Sequence, residues 1–300
     1  MKTSVKRGAQ SALNLLVLAS FFYLLFHPSL VSESVTRSIY LCVRVIVPSL
    51  FIFMVLSRLI IAMPFTAAFF GRLGRYGIEA MVLTLGLLCG FPVGAKCAVF
   101  LYESGAVSKK RAEFISAFTN GASASFLIGY VGGALYSDVA VGVRLFLFQI
   151  VAALTTAVIL RVLFMKKEDF AFAPIPEQEK TGGFPEAVMD STFTMLSVCA
   201  LIITFSLLGE LFLSVIKANQ ISSVLIKGFF EFSSGIASAA AVGAEPAFIM
   251  ICLFVGFSGL CVIMQVVTAM RGKLSAKMYL AGRLINTAIF GMLSLLFGIA

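Results

Sequence analysis

About eight apolar stretches follow one another along the chain, separated by short polar connectors. A bilayer-spanning helix needs roughly 20 consecutive apolar residues, because the lipid core offers no partners for exposed backbone groups. Charged residues occupy only 12% of the 300 positions and hydrophobic residues 60%, whereas soluble domains are about a quarter charged. The chain is therefore predicted to be an all-α integral membrane protein with several membrane passes, and a water-soluble fold is excluded.

The N-terminal stretch carries Lys2, Lys6 and Arg7 before an apolar run that ends at Phe26. This pattern is typical of a signal sequence, but no small-x-small cleavage site follows. We therefore expect a retained membrane helix within residues 1–30. The formal net charge of +9 comes from Lys and Arg scattered through the connectors, which favours an effect of membrane topology over nucleic-acid binding.

Two apolar stretches are interrupted by glycine, one by Gly-Phe-Pro-Val-Gly at 90–94 and the other by Gly-Phe-Ser-Gly at 256–259. A proline between two glycines should break a helix. Backbone groups freed at membrane depth are tolerated only where protein or a water-lined cavity satisfies them. The predicted fold has about six full transmembrane helices plus two glycine-broken segments, which are either re-entrant or discontinuous.

Both breaks are followed by a Gly-x-(Val/Leu)-Ser-x-Lys motif, at 105–110 and at 272–277. Either this is coincidence or the chain is an internal duplication. Duplication predicts a first repeat over 39–165, a proline-rich polar linker over 166–186 and a second repeat over 187–300.

The orientation of the two repeats follows from the basic loops, which should lie in the cytoplasm. A re-entrant hairpin between 79 and 102 would place the lysines near 109 and 166 on that side and would make the halves inverted repeats. Inverted repeats joined by broken helices are common in secondary transporters. In this arrangement the loops that contain Ser104 and Ser275 are equivalent and lie on opposite faces of the membrane.

The motifs at these positions resemble those of the YlbJ-type sporulation integral membrane proteins, grouped with the nucleoside-recognition, or Gate, domain proteins. The matching stretches are residues 90–96, 101–109, 118–122, 231–235 and 257–260, followed by Gln265 and Arg283. Where that family usually has paired asparagines and Ala-Gly-Pro, this chain has Asn120-Gly121-Ala122-Ser123. The resemblance implies a bacterial envelope protein linked to spore formation, with a transporter-like fold and no settled substrate.

Candidate substrate-binding residues lie at the two breaks and at polar positions within the apolar runs. They are Gly90, Pro92, Gly94, Lys96, Asn120, Glu231, Ser258, Gly259, Gln265 and Arg283. A charge such as Lys96 is costly inside a membrane and points to function, unless it reaches the interface. The alternative for Asn120 and Gln265 is an interhelical hydrogen bond that serves packing, and the alternative for Glu231 is a position at the interface.

No catalytic or metal-binding motif is present, because the sequence has no P-loop, no HExxH and no Gly-x-Ser-x-Gly. We therefore expect no enzyme activity, no cofactor, no bound metal and no nucleic-acid partner. The leading hypothesis is a multi-pass protein of the bacterial cytoplasmic membrane that binds or moves a small polar solute or ion. The rival hypothesis is a structural or assembly factor that transports nothing. The oligomeric state stays open.

Overall fold

The computed structural model describes residues 2–61, 63–170 and 183–298, and this part of the chain is helical without any β-strand. In the first half the helices are α1 (Lys2–Phe26), α2 (Pro28–Ile61), α3 (Pro64–Gly71), α4 (Gly77–Cys89), α5 (Val93–Glu103), α6 (Lys109–Phe118), the π-helical α7 (Ser125–Leu135) and α8 (Val139–Phe164). In the second half they are α9 (Gly183–Val215), α10 (Gln220–Phe230), α11 (Phe232–Ala240), α12 (Ala244–Phe257), α13 (Gly259–Ala269) and α14 (Lys277–Leu296). Most of the predicted linker, residues 171–182, lies outside the described residues.

Five helical stretches in the described ranges are long and apolar enough to cross a membrane: α2, α8, α9, the α12–α13 stretch from Pro246 to Ala269, and α14. Large apolar side chains cover their outer surfaces, for example Leu154, Phe193 and Leu284. Such a surface is stable in lipid and not in water. The prediction of an all-α, multi-pass membrane protein is confirmed.

The start of α2 differs from the predicted apolar run, because the helix begins at Pro28 instead of near residue 39. Proline is well tolerated in the first turn of a helix. The added segment is polar, with Ser34 and Ser38 buried against the protein and Arg37 paired with Glu210. Hydropathy alone therefore could not identify this polar segment as part of α2. A π-helical turn at Cys42–Ile46 interrupts the α-helical geometry of α2 without ending the helix.

The break predicted at 90–94 is confirmed and forms the tip of a hairpin. Helices α4 and α5 pack against each other and are joined by Gly90, Phe91 and Pro92. Gly90 has a φ of +78°, a conformation that glycine adopts at little cost. With 13 and 11 residues, each helix is too short to cross a bilayer, which needs roughly 20. The hairpin is therefore re-entrant, as one of the two alternatives predicted.

The structure contains a second hairpin that the sequence analysis did not predict. Helices α10 and α11 pack against each other around a turn at Glu231. The alternative considered for Glu231 was a position at the interface. The structure instead buries Glu231 completely, so the region is a second re-entrant hairpin with its tip inside the protein.

The expected equivalence of the breaks at 90–94 and 256–259 is wrong. The second break is a bend in a helix, since Ser258 has a φ of +75° and α13 turns away from α12 there. After the bend, α13 packs against α9 and α10, whereas α12 packs against α14. By its order along the chain, the bend corresponds to the non-helical segment 119–123 between α6 and α7 in the first half.

The order of elements thus recurs in the two halves: a long helix, a hairpin, a discontinuous helix and a final long helix. The long helices α2 and α9 run in opposite directions. Arg37 near the start of α2 pairs with Glu210 near the end of α9, and the Cys42 thiol contacts the Cys199 carbonyl further along. Opposite directions are what inverted repeats require, and inversion itself stays a prediction.

The loops with the shared Gly-x-(Val/Leu)-Ser-x-Lys motif lie at the same end of the molecule, which corrects the prediction that they lie on opposite faces. Lys273 forms an ion pair with Glu103, and the Ser275 amide donates to Glu113 Oε1 at 2.8 Å. The same end holds the pairs Lys110–Asp169 and Arg111–Glu79. We call it the basic end, and the positive-inside rule assigns it to the cytoplasm.

Single cysteines test this arrangement. Ser104→Cys and Ser275→Cys should react with a membrane-impermeant thiol reagent from the same side, whereas Ser137→Cys should react from the other side, because α6 and α7 together cross the protein. Labelling in intact cells and in inverted vesicles, with the parent chain as background, measures the sidedness. Labelling of Ser104→Cys and Ser275→Cys from opposite sides would contradict the fold.

Candidate functional site: two cavities beside the hairpin tips

The tips of the two hairpins meet in the middle of the protein. The rings of Phe91 and Phe232 make an edge-to-face contact with centroids 5.8 Å apart, and Phe126 of α7 lies 5.3 Å from Phe232. All three side chains are buried. Aromatic pairs of this geometry add stabilisation beyond their buried area. The contact closes the space between the hairpins.

The first hairpin tip is held by the non-helical segment after α6. The Asn120 side chain accepts a hydrogen bond from the Ala95 amide in the first turn of α5 at 3.1 Å. It also donates to the Ser116 carbonyl at 2.7 Å. Asn120 is fully buried and lines neither of the two cavities described below. The structure therefore shows Asn120 in a packing role, which was the alternative considered from the sequence.

Glycine is required where α5 crosses this segment. A Cβ atom at Gly94 would lie 2.6 Å from Thr119 Oγ1 and 2.7 Å from the Thr119 carbonyl oxygen. At Gly90 it would lie 2.9 Å from the Ser123 amide nitrogen. Gly90 and Gly94 thus permit a close backbone approach, and neither offers a side chain to a solute.

The second hairpin tip is capped by its own glutamate. The Glu231 carboxylate accepts hydrogen bonds from the Ser233 amide at 3.0 Å and the Ser234 amide at 2.7 Å. A carboxylate in this N-cap position satisfies the free amides of α11 and interacts favourably with its dipole. Glu231 is fully buried, so the interfacial alternative for it is wrong.

The bend at Ser258 lies against this hairpin tip. A Cβ at Gly259 would approach the Gly228 carbonyl oxygen to 3.0 Å, which explains a glycine at this point. Arg283 of α14 is buried and donates from Nη1 to Ser258 Oγ at 3.1 Å, and its guanidinium lies over the ring of Tyr279. These three predicted residues hold the bend together and line neither of the cavities described below.

One cavity, of about 330 Å³, opens near the basic end between α2, α5, α9 and α13, and we call it the basic-end cavity. Its lining includes Pro92, Lys96 and Gln265 from the predicted set. Lys96 Nζ donates to Asp190 Oδ2 at 2.7 Å and to Thr194 Oγ1 at 2.6 Å. Lys96 is therefore paired inside the protein, and it does not simply extend to the interface.

The other cavity has a similar volume of about 330 Å³ and lies toward the opposite ends of α2 and α9. We call it the far-end cavity. Glu210 Oε1 accepts from Arg37 Nη1 and from Lys227 Nζ, both at 3.0 Å. Glu231 also lines this cavity. Pro92 at the first hairpin tip thus lines one cavity and Glu231 at the second tip lines the other, and both cavities lie beside the same pair of antiparallel helices, α2 and α9.

The structure brings together Pro92, Lys96 and Gln265, and it places Glu231 in the other cavity. Sequence reasoning missed Arg58, Asp190 and Arg271, which also line the basic-end cavity. Arg58 and Asp190 lie near the ends of apolar runs, where charges are usually interfacial. The only signal that could have found them is the long-range pairing of α2 with α9, which a single sequence does not show.

Comparison with known proteins supports the resemblance to the YlbJ-type proteins. The chain is 26% identical over 317 aligned residues to the sporulation integral membrane protein YlbJ of Bacillus subtilis (strain 168). The match covers 85% of this chain and 76% of that relative. No protein-family model and no solved structure matches the chain. The nucleoside-recognition, or Gate, domain therefore stays a prediction, whereas the likeness to YlbJ is confirmed.

The close approach at Gly94 predicts a loss of stability on substitution. Gly94→Ala should lower the free energy of unfolding by about 1–3 kcal/mol, because the added methyl group meets backbone atoms of Thr119. Gly129→Ala is the matched control, since a Cβ there meets nothing within 4 Å. It should leave the stability unchanged or raise it slightly. Thermal unfolding in detergent measures both, and equal midpoints would contradict the predicted crossing.

The pair of Lys96 and Asp190 predicts coupled effects. Their side chains are 23% and 26% exposed, so removing either charge leaves the other half-buried and unpaired. Lys96→Met and Asp190→Asn should each lower the unfolding free energy by about 1–3 kcal/mol, and the double variant should lose less than their sum. The more exposed pair Lys110–Asp169 should show weaker coupling in the same cycle. Additive losses at Lys96 and Asp190 would contradict a direct pair.

Proposed function

We propose that this YlbJ-like membrane protein binds a small polar solute between its hairpins, moves it across the bacterial cytoplasmic membrane, and acts in sporulation. The observation that carries the proposal is the pair of cavities of similar size on either side of the contact between Phe91 and Phe232. One cavity lies toward the basic end and the other toward the opposite end. Because Pro92 at the first tip lines one cavity and Glu231 at the second tip lines the other, the proposed path of the solute between the cavities passes the hairpin tips.

The antiparallel pairing of α2 and α9 supports alternating access. In secondary transporters with inverted repeats, one repeat moves against the other around a site near the middle of the membrane. Here each hairpin is an equivalent candidate for the moving part, because each is short and re-entrant. A small displacement of either tip would separate Phe91 from Phe232. A solute bound in one cavity could then pass into the other.

Side chains would supply the contacts with the solute. Three of the backbone amides freed at the tips, those of Ala95, Ser233 and Ser234, are already bonded to protein side chains. These three amides are therefore not available to coordinate a solute. Lys96 and Gln265 line the basic-end cavity and offer a positive charge and an amide. The proposal assigns no catalytic step to these groups.

The proposed role in sporulation rests on the name of the relative, the sporulation integral membrane protein YlbJ. That name does not include transport. A non-transporting assembly factor is therefore the rival, and the two make opposite predictions for flux through the purified protein.

Purified protein in liposomes tests the proposal. We expect uptake of at least one member of a panel of small polar metabolites, and at least tenfold lower initial rates for Lys96→Ala and Gln265→Ala per folded protein. Lys109→Ala is the matched control, because Lys109 is exposed and lies outside both cavities. Absence of flux for the whole panel, together with normal sporulation of cells carrying Lys96→Ala and Gln265→Ala, would favour the assembly factor.

A further inference from the structure

The basic-end cavity carries more positive than negative charge. Arg58, Lys96 and Arg271 line it together with the carboxylates of Asp190 and Glu103. Asp190 is bonded to Lys96, and Glu103 is paired with Lys273, which is not among the lining residues. Among the residues that the structure describes, no carboxylate lies within ion-pair distance of Arg58 or Arg271. Two guanidinium groups thus border this space without a paired anion.

The far-end cavity shows that this excess is not a general property of the fold. It is lined by Arg37 and Lys227, which share Glu210, and by the carboxylate of Glu231. Its two positive and two negative side chains balance. The two cavities are similar in size and in position relative to the hairpins, so the difference in charge distinguishes the solutes that each would hold.

The backbone at Arg271 is also unusual. Its φ of +50° falls in the left-handed region, which non-glycine residues seldom adopt, and Gly272 follows with a φ of +67°. Helices often end with one residue in this conformation, usually a glycine, and Arg271 directly follows Met270, the C-cap of α13. An arginine instead of a glycine thus ends α13, and its side chain lines the cavity.

The remaining lining suits a small polar metabolite. The volume of about 330 Å³ is at the lower end of the range for small-molecule sites. Neutral donors and acceptors come from Thr194, Ser197, Gln265 and Thr268. A smaller void of about 40 Å³ is also bordered by Arg58, Lys96 and Asp190. These three charged residues therefore line two voids.

We infer that the basic-end cavity binds a small anion that carries a carboxylate or phosphate group. Arg58 and Arg271 are its principal ligands, since a guanidinium matches both groups with paired hydrogen bonds. Lys96 faces the same space and is held in place by Asp190 and Thr194. The inference rests on the proposed function for its solute, and it adds the chemical class.

Equilibrium binding to the full chain in phosphatidylcholine nanodiscs tests this inference without relying on flux. The probes are inorganic phosphate, succinate and the neutral nucleoside uridine. We expect phosphate or succinate to bind and uridine not to bind under the same conditions. Arg58→Gln and Arg271→Gln should each weaken anion binding by about tenfold or more, which corresponds to the loss of one charge-assisted contact.

Lys277→Gln is the matched control, because it removes a positive charge close to Arg271 at an exposed residue that does not line the cavity and pairs with no lining carboxylate. It should change the affinity by less than about twofold. Arg58→Lys, which keeps the charge and removes the planar fork, should show an intermediate affinity. An effect of Lys277→Gln as large as that of Arg271→Gln would show a diffuse surface field and overturn the site.

A lipid headgroup could present the same phosphate chemistry as a free anion, so a second set of nanodiscs contains phosphatidylglycerol. Competition of this lipid with the free anion, dependent on Arg58 and Arg271, would support the anion site with a headgroup as a further occupant. Binding of uridine without either anion would overturn the inference and leave transport of a neutral solute intact. Anion binding without flux would sustain the inference and contradict the proposed transport.

Discussion

Every interruption of a helix at membrane depth must find hydrogen-bond partners inside the protein, because lipid offers none. In the part of the chain that the structure describes, such interruptions occur at Gly90, the segment 119–123, Glu231 and Ser258. The hairpin tip at Gly90 is held by Asn120, and the turn at Glu231 is capped by Glu231 itself. In the segment 119–123, the Ala122 amide and carbonyl both form hydrogen bonds of 2.8 Å with the Gln149 side chain. The first role of these buried polar residues is therefore to supply the hydrogen bonds that stabilise the interrupted helices.

This requirement separates residues that build the site from residues that could bind a solute. Asn120 and Ser258 have protein contacts that account for their positions. Lys96 is different, since it has protein partners and also borders open space. Burial of an ion pair costs desolvation energy, and a pair in a fully packed site is often no more stable than apolar residues. A pair retained at a cavity wall is better explained by an interaction with what enters the cavity.

Some of this architecture could be predicted from sequence, for definite physical reasons. A proline between two glycines cannot continue a helix, so the tip at 90–94 was visible. The turn at Glu231 was not recognised as a hairpin tip, because a glutamate that caps a buried helix looks like an interfacial charge. The repeated Gly-x-(Val/Leu)-Ser-x-Lys motif was misleading for a different reason. Ser108 caps α6 by accepting from the Arg111 amide, whereas α14 begins after Ala276 without a side-chain cap, so the same letters do not form the same local structure in the two loops.

The cavities could not be predicted because they depend on which helices are neighbours. Asp190 and Arg58 are far apart in the sequence, and only the antiparallel crossing of α2 and α9 brings both to one cavity. The same crossing places Arg37 and Glu210 at the other cavity. One pair of helices thus creates two sites with different charge, one at each end. A solute that carries negative charge would be bound more strongly in the basic-end cavity than in the far-end cavity. Its movement from the basic-end cavity to the far-end cavity would therefore cost free energy unless another ion or the membrane potential contributes. In the proposed transport, the direction would therefore depend on the same charge asymmetry that would select the solute.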